Sequence, residues 1–267
     1  MKNKRHNYLI EIQYCGYRFH GWMIQPGFKT VQGMINKTIN FVLGGEVKFK
    51  TLGTSRTDTY VSANHSAFEL FVWQELDESE FFDLFNKNLP QDIKGLSIRK
   101  VDDKFNIIQD SKTKEYQYLF TFGEKIHPFC SPYMISIQHD LDIELMKEGA
   151  KLYEGTHYFG RFCKQPKEGV SLERTIDYCE IKENTEIQAT FFPKKSYIFY
   201  VHGKGFMRHQ VRMMIGTLFM LGKGELSLDD IREALLPNDN RTQLGYVAPA
   251  SALNLHKITF DKDFEEV

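Results

Sequence analysis

Residues 47–72 read VKFKTLGTSRTDTYVSANHSAFELFV, and the centre of that stretch is Gly53-Thr54-Ser55-Arg56-Thr57-Asp58. Val47, Phe49 and Thr51 alternate with Lys48, Lys50 and Leu52, which is the period of a strand. A second strand pattern runs from Ala67 to Val72, with Phe68, Leu70 and Val72 on one face. The polar stretch between them is too long for a tight hairpin and sets a carboxylate beside a guanidinium. Held at a strand–loop junction, Asp58 is a candidate nucleophile or base. The same residues also suit an Asx-type turn carrying a surface Arg–Asp pair.

Outward from this stretch, Tyr8, Ile10, Ile12 and Tyr14 alternate as a strand. A loop follows from Gly16 to Gly27, rich in Gly and aromatic residues. Val31, Met34, Ile35, Ile39 and Val42 recur at helical spacing, and Gly44-Gly45 stops that helix. Phe81, Phe82, Leu84, Phe85 and Leu89 mark a second helix closed by Pro90, and a strand covers Leu96 to Val101. The order strand, helix, strand, strand, helix, strand is the split βαβ, ferredoxin-like arrangement.

The second half repeats the theme. Tyr116, Tyr118, Phe120 and Phe122 line one face of a strand, and Leu141, Leu145 and Leu152 predict a helix ending at Gly155. Strands are expected at Thr175–Ile181, Ile187–Phe192, Tyr197–His202 and His256–Phe260. Helices are expected from His209 to Leu221 and after an N-cap at Ser227, with Asp230 three residues on. The fold class read from these patterns is α+β: two ferredoxin-like halves, 1–105 and 106–267, joined into an extended, mostly antiparallel sheet with helices on one face. The turn-rich stretch Gly160–Glu173, with Arg161, Lys164 and Lys167, reads as an exposed basic insertion.

Bulk composition narrows the class. The chain has 267 residues, 42% hydrophobic and 26% charged, in the ordinary range for a globular protein. Twenty-two Phe and 13 Tyr favour sheet. A net charge of −1 does not announce a nucleic-acid binder, so any basic surface must be local. Cys15, Cys130, Cys163 and Cys179 lack Cys-x-x-Cys spacing, which argues against a zinc site or a disulfide framework. No apolar run reaches membrane length and the N-terminus is not a signal peptide, so a reduced, cytoplasmic protein is expected.

Two further groups carry chemistry. Arg208 and Arg212 stand four apart on a helix that follows Gly203-Lys204-Gly205-Phe206, where Gly and Arg suit a phosphate oxygen. Arg212 lies against the apolar stripe of that helix and, partly buried, needs an anionic partner, for which Asp58 is the candidate. Lys114 precedes the aromatic face that begins at Tyr116, the composition of a base-stacking platform.

Taken in order, these segments resemble the tRNA pseudouridine synthase A family. Tyr14-x-Gly16-x-x-Phe19-x-Gly21-Trp22-x-x-Gln25 is similar to its opening motif, and Thr30-Val31-Gln32-Gly33 to the start of its first helix. Arg56-Thr57-Asp58-x-x-Val61-x-Ala63 resembles the catalytic motif and Lys114-x-Tyr116-x-Tyr118 the second. Gly205-Phe206-x-x-x-Gln210-Val211-Arg212-x-x-x-Gly216 resembles the third, and Ala248-Pro249-Ala250-x-x-Leu253-x-Leu255 the last. The resemblance implies an RNA pseudouridine synthase, a homodimer without metal or cofactor, whose positive cleft holds the anticodon arm of tRNA. It implies that Asp58 starts cleavage of the uridine C1′–N1 bond, by attack on C1′ or by removal of a ribose proton. Tyr116 would stack on the target uracil, Arg212 would pair with Asp58, and Arg56 would fill the space of the flipped base or hold a phosphate. Leu253 would line the substrate site, with Arg208, Lys114, Arg161 and Lys164 as weaker RNA contacts.

The chain departs from the family pattern around these residues. Ser55 replaces a Gly, Thr59-Tyr60 replaces Ala-Gly, Ser62 replaces a His, Ile108 an Arg and Cys15 an Asp. An active synthase with a shifted RNA substrate fits that pattern. A catalytically inactive RNA-binding or RNA-folding protein is the alternative.

Overall fold

The computed structural model describes residues 4–164, 169–237, 240 and 242–260. The chain divides into two compact units, Met1–Lys112 with Leu255–Val267, and Thr113–Asn254. The first opens with β1 (His6–Tyr14), α1 (Val31–Val42), β2 (Phe49–Gly53), β3 (Ser62–Val72), α2 (Glu78–Asn88) and β4 (Ile93–Val101). Next come β5 (Ser111–Phe122), β6 (Ile135–Ile137), α3 (Ile143–Lys151), β7 (Gly155–Tyr158), β8 (Glu173–Glu183) and β9 (Tyr197–Gly203). Then follow α4 (Gln210–Gly222), α5 (Leu228–Ala234) and β10 (Leu253–Phe260). The fold class is α+β with largely antiparallel strands; β5 and β6 form a parallel pair.

In the first unit β1 is central, with β4 and β3 antiparallel on either side, and β2 pairs β3 from Phe49↔Val72 to Gly53↔Phe68. That is the 4-1-3-2 order of a split βαβ unit. Tyr8, Leu9, Ile10 and Ile12 are fully buried, so β1 reads as a strand covered on both faces where the sequence alternates only in part. Thr30 caps α1 by accepting from the Gly33 amide at 3.2 Å, and Gly44 and Gly45 end it at φ 74° and 86°.

In the second unit the strand order is β5-β9-β8-β7. Ser227 and Asp230 form the capping box of α5. The expected strand at Ile187–Phe192 is not formed. Asn184 captures that segment instead: its Oδ1 accepts from the Ile187 amide at 2.9 Å, and its Nδ2 donates to the Ile187 carbonyl at 2.7 Å and to Ser196 at 2.9 Å. Ile187, Phe191 and Phe192 then pack on Leu119, Cys130, Met134 and Ile198, so the apolar residues are used without a ladder.

Two carboxylates of the first unit set its response to pH. Burial drives Glu69 (1% exposed) up to about 7, partly offset by the Ile107 amide. Glu11 goes the other way, to about 2, held down by hydrogen bonds from His65 and Ser97 against its own desolvation. Its carboxylate lies 3.2 Å from His65 Nε2 and 2.6 Å from Ser97 Oγ. His65 Nδ1 accepts from the Ile258 amide at 3.3 Å, which leaves Nε2 to donate. An unfolded glutamate titrates near 4.5. Stability from Glu11 is therefore full above 4.5 and lost as pH falls toward 2. For Glu69 the folded state holds the proton longer, so stability falls as pH rises from 4.5 to about 7. Glu69→Gln keeps an acceptor but cannot ionise. It is expected to be more stable than the parent by about 1–3 kcal/mol at pH 8 and roughly equal at pH 5, read from denaturant midpoints at the two pH values.

Candidate active site

Asp58 lies in the loop between β2 and β3, half-buried, two residues after the exposed Arg56. The loop's shape is imposed by the segment that follows β1. The Trp22 amide donates to the Thr57 carbonyl at 3.1 Å, the Tyr60 amide to the Phe19 carbonyl at 3.1 Å, and the Val61 amide to the Asp58 carbonyl at 3.2 Å. Tyr14 Oη and Thr57 Oγ1 share a hydrogen bond of 2.9 Å, and Ser62 Oγ accepts from the Gly16 amide at 2.9 Å. A register shift between Ile12 and Tyr14 bends β1 at this end, where a bulge commonly re-aims a side chain.

The opening segment is itself fixed to α1. The amides of Val31 and Gln32 donate to the carbonyls of Gly21 and Trp22 at 3.1 and 3.0 Å. These are orphan donors of the helix N-terminus, so satisfying them and placing the loop are one act. Gly21 has φ 82°, and a Cβ there would meet the Thr57 carbonyl oxygen at 2.8 Å. Only glycine allows both the turn and the approach. The chain from Gly16 to Trp22 thus forms the wall against which the Asp58 loop is built.

In the second unit, Lys114, Tyr116 and Tyr118 share one face of β5 and stand opposite Gly203, Val201 and Phe199 of β9. Tyr116 is half-buried and meets Phe206 edge-on, with centroids 5.3 Å apart and planes at 89°. Tyr118 is fully buried and donates to the Pro249 carbonyl at 2.8 Å; burial raises its phenol well above the ordinary range, so it stays a donor. Burial also lowers the Lys114 ammonium.

Arg212 is half-buried on α4, as its position beside the apolar stripe suggests. Its Nε donates to the Ala248 carbonyl at 2.7 Å, and the Ala248 amide returns a bond to the Arg212 carbonyl at 3.1 Å. The segment 245–248 can lie this close because Gly216 has no side chain: a Cβ there would sit 2.0 Å from the Tyr246 carbonyl oxygen. Gln210 is fully buried, and its Oε1 accepts from the Met207 amide at 2.9 Å. Leu253, 6% exposed, begins β10, its amide bonded to the Ala250 carbonyl. The second, third and last sequence motifs therefore meet in one place, around Tyr118, Arg212 and 248–250.

The stretch expected as an exposed basic insertion is different in its first part. Gly160–Phe162 is a 3₁₀ turn, with Phe162 and Cys163 buried and Phe162 set against Tyr153 and Phe159 at 5.4 and 5.8 Å. Two aromatic residues three apart pull the turn into the core. Arg161 is half-buried, and its Nε donates to the Thr242 carbonyl at 2.9 Å. Lys164 is exposed, and its amide donates to the carbonyl of the exposed Arg208 at 3.2 Å. These two basic residues are brought together from distant parts of the sequence. Lys167 lies outside the described residues.

Sequence reading did not single out Phe206 as the partner of Tyr116; it marked Tyr60 as a departure that could offer a stacking surface, but not Tyr17 and His20 as the rings beside it. The Phe in the third motif was the available signal for the first; for the φ of 69° at Tyr60 the signal was the Gly that the family pattern carries at that place. Among the described residues no helix is long and apolar enough to cross a membrane.

A family profile described as tRNA pseudouridine synthase matches residues 150–261. The tRNA pseudouridine synthase A 2 of Bacillus cereus (strain ATCC 10987 / NRS 248) is 32% identical over 256 residues, covering 96% of this chain and 100% of that protein. The tRNA pseudouridine synthase A 2 of Bacillus anthracis is 31% identical, covering 95% of this chain and 99% of its own. The tRNA pseudouridine synthase A of Thermoanaerobacter pseudethanolicus is 30% identical with the same coverage. With such identity carried along the whole length of its relatives, the chain belongs to the tRNA pseudouridine synthase A family.

Proposed function

We propose that this protein isomerises uridine to pseudouridine in the anticodon arm of tRNA, with Asp58 as the catalytic carboxylate. Membership of the family supports a pseudouridine synthase acting on tRNA. The observation that supports the role of Asp58 is its loop: backbone bonds of Tyr60 to Phe19, Trp22 to Thr57 and Val61 to Asp58 fix its shape, with Asp58 half-buried. Such fixing is what a group acting on one atom of a substrate requires.

The reaction conserves atoms. The C1′–N1 bond breaks, uracil turns, C5 joins C1′, and the proton from C5 is replaced by one on N1. One carboxylate near the ribose starts this, by bonding to C1′ or by taking a ribose proton. The target base must leave its stack, at a cost of a few kcal/mol. In this reading Tyr116 stacks on the uracil, Arg212 holds Asp58 ionised, and Leu253 closes the apolar side. Arg56 fills the vacated space or binds a phosphate. Lys114, Arg161, Lys164 and Arg208 bind the RNA backbone, and the enzyme works as a cytoplasmic homodimer.

The deciding test is pseudouridine mapping of total RNA from cells with and without the gene, rescued by wild type or by Asp58→Ala. Sites lost on deletion and restored by wild type alone, within the anticodon arm, are the expected result. Restoration by Asp58→Ala would sink the role of the carboxylate, and sites elsewhere would move the substrate. Separately, Lys164→Ala is expected to weaken tRNA binding and to reduce the slope of log K against log salt by about one, measured by filter binding across a salt series.

A further inference from the structure

Tyr60 and His209 are the two non-glycine residues with positive φ among the described residues, at 69° and 63°. A side chain in the left-handed region costs about 1–2 kcal/mol, and such strain persists where the surroundings over-determine it. The amides on either side of the Tyr60 carbonyl do so here: Tyr60 N donates to Phe19 O at 3.1 Å and Val61 N to Asp58 O at 3.2 Å. The result is a fixed backbone from which a large side chain projects, 45% exposed, two residues from Asp58 in sequence.

That ring has company. Tyr17 lies 6.0 Å and His20 6.4 Å from Tyr60 between ring centroids, and Phe28 lies 4.5 Å from His20. The planes are tilted by 41–47°, so no ring is stacked flat on its neighbour. Tyr17 is 42% exposed and Phe28 53%. Exposed rings gathered in this way mark a candidate interaction site. Its chemistry points to bases: aromatic rings take any base face, and the same loop carries the exposed Arg56.

We propose that Tyr60, with Tyr17, His20 and Phe28, forms a stacking surface for the unpaired nucleotides that flank the uridine reaching Asp58. This deepens the reading of Asp58 given above and rests on it. A base drawn out of its stack leaves its neighbours short of a partner, and an exposed ring two residues from Asp58 in the same loop supplies one. Continuity decides the occupant: the patch starts within two residues of Asp58, so RNA held at the carboxylate continues across it.

The test uses an anticodon stem-loop RNA with 2-aminopurine next to the target uridine, and the full-length protein as wild type, Tyr60→Phe, Tyr60→Gly and Tyr60→Ala. Glycine adopts φ 69° without strain, so Tyr60→Gly folds, and it is expected to melt no lower than wild type. Wild type and Tyr60→Phe are expected to quench the fluorophore on binding. Tyr60→Gly and Tyr60→Ala are expected to lose the quenching and to raise KM about 5- to 150-fold, the range for one stacked base, with kcat within about threefold. Unchanged quenching and KM in both truncations, with wild type turning over, would overturn this inference alone. No turnover by wild type on any tRNA would remove the Asp58 reading and the inference with it.

Discussion

Asp58→Ala loses at least ~10³-fold in pseudouridine formation while tRNA affinity stays within about threefold of wild type; that is the first expected result. The magnitude follows from chemistry. If one carboxylate breaks the C1′–N1 bond, nothing left in the loop can replace it: Thr57 is bonded to Tyr14, and the Trp22 and Val61 amides are spent on the carbonyls of Thr57 and Asp58. The preserved affinity follows from structure. The Tyr14–Thr57 and Gly16–Ser62 bonds and the backbone bonds of Trp22, Tyr60 and Val61 shape the loop without using the Asp58 carboxylate, so its removal leaves these in place. Asp58→Asn separates charge from shape and should lose as much as alanine. Release of tritium from tRNA labelled at uridine C5 measures turnover, and filter binding of the same tRNA measures affinity. If either variant kept a tenth of wild-type turnover, the carboxylate assignment would be wrong. If affinity fell with turnover in equal measure, Asp58 would be a binding group.

How much of this could be read from the sequence depends on how each feature is encoded. The βαββαβ order of the first unit rests on periodicity, and α1 and its stop at Gly44-Gly45 appear where the spacing places them. β3 begins at Ser62, earlier than its apolar run suggests. His65 is polar, and its place in the strand is stabilised from outside, by Glu11 and the Ile258 amide. The Ile187–Phe192 stretch has strand composition, but the Asn184 side chain takes the amide and the carbonyl of its first residue, Ile187. Short β6 and β7 carry too few residues for a period to show. At the site, motif spacing marked Asp58, Tyr116 and Arg212. It did not show that the opening segment is the wall of the Asp58 loop, because that depends on which carbonyl accepts which amide. The family's Gly at position 60 hinted at a positive φ there, but not at the rings that Tyr60 meets, since those depend on how the opening segment folds back.

Gly216→Ala is expected to be the most damaging single methyl group in the second unit. The new Cβ would lie 2.0 Å from the Tyr246 carbonyl oxygen and 3.1 Å from its carbon. Both are backbone atoms, so no rotamer change relieves the overlap, and either α4 or the 245–249 segment must move. α4 is buried along most of its length, with Met213, Met214, Ile215 and Leu218 fully enclosed, so the segment yields. Two bonds go with it, from Arg212 Nε to Ala248 O at 2.7 Å and from Tyr118 Oη to Pro249 O at 2.8 Å. The Tyr118 hydroxyl is fully buried and would be left with an unmade bond, which costs about 1–3 kcal/mol beyond the steric strain. A total loss of about 3–4 kcal/mol is expected in denaturant unfolding, well above the gain an alanine normally brings to a helix. The activity readout separates position from stability. If Arg212 is aimed by its bond to Ala248, turnover of the folded fraction at low temperature falls about 10- to 100-fold. Ala248→Gly keeps the carbonyl and should lose far less. Equal turnover in Gly216→Ala and wild type, at matched folded fraction, would show that Arg212 does not depend on this segment for its aim.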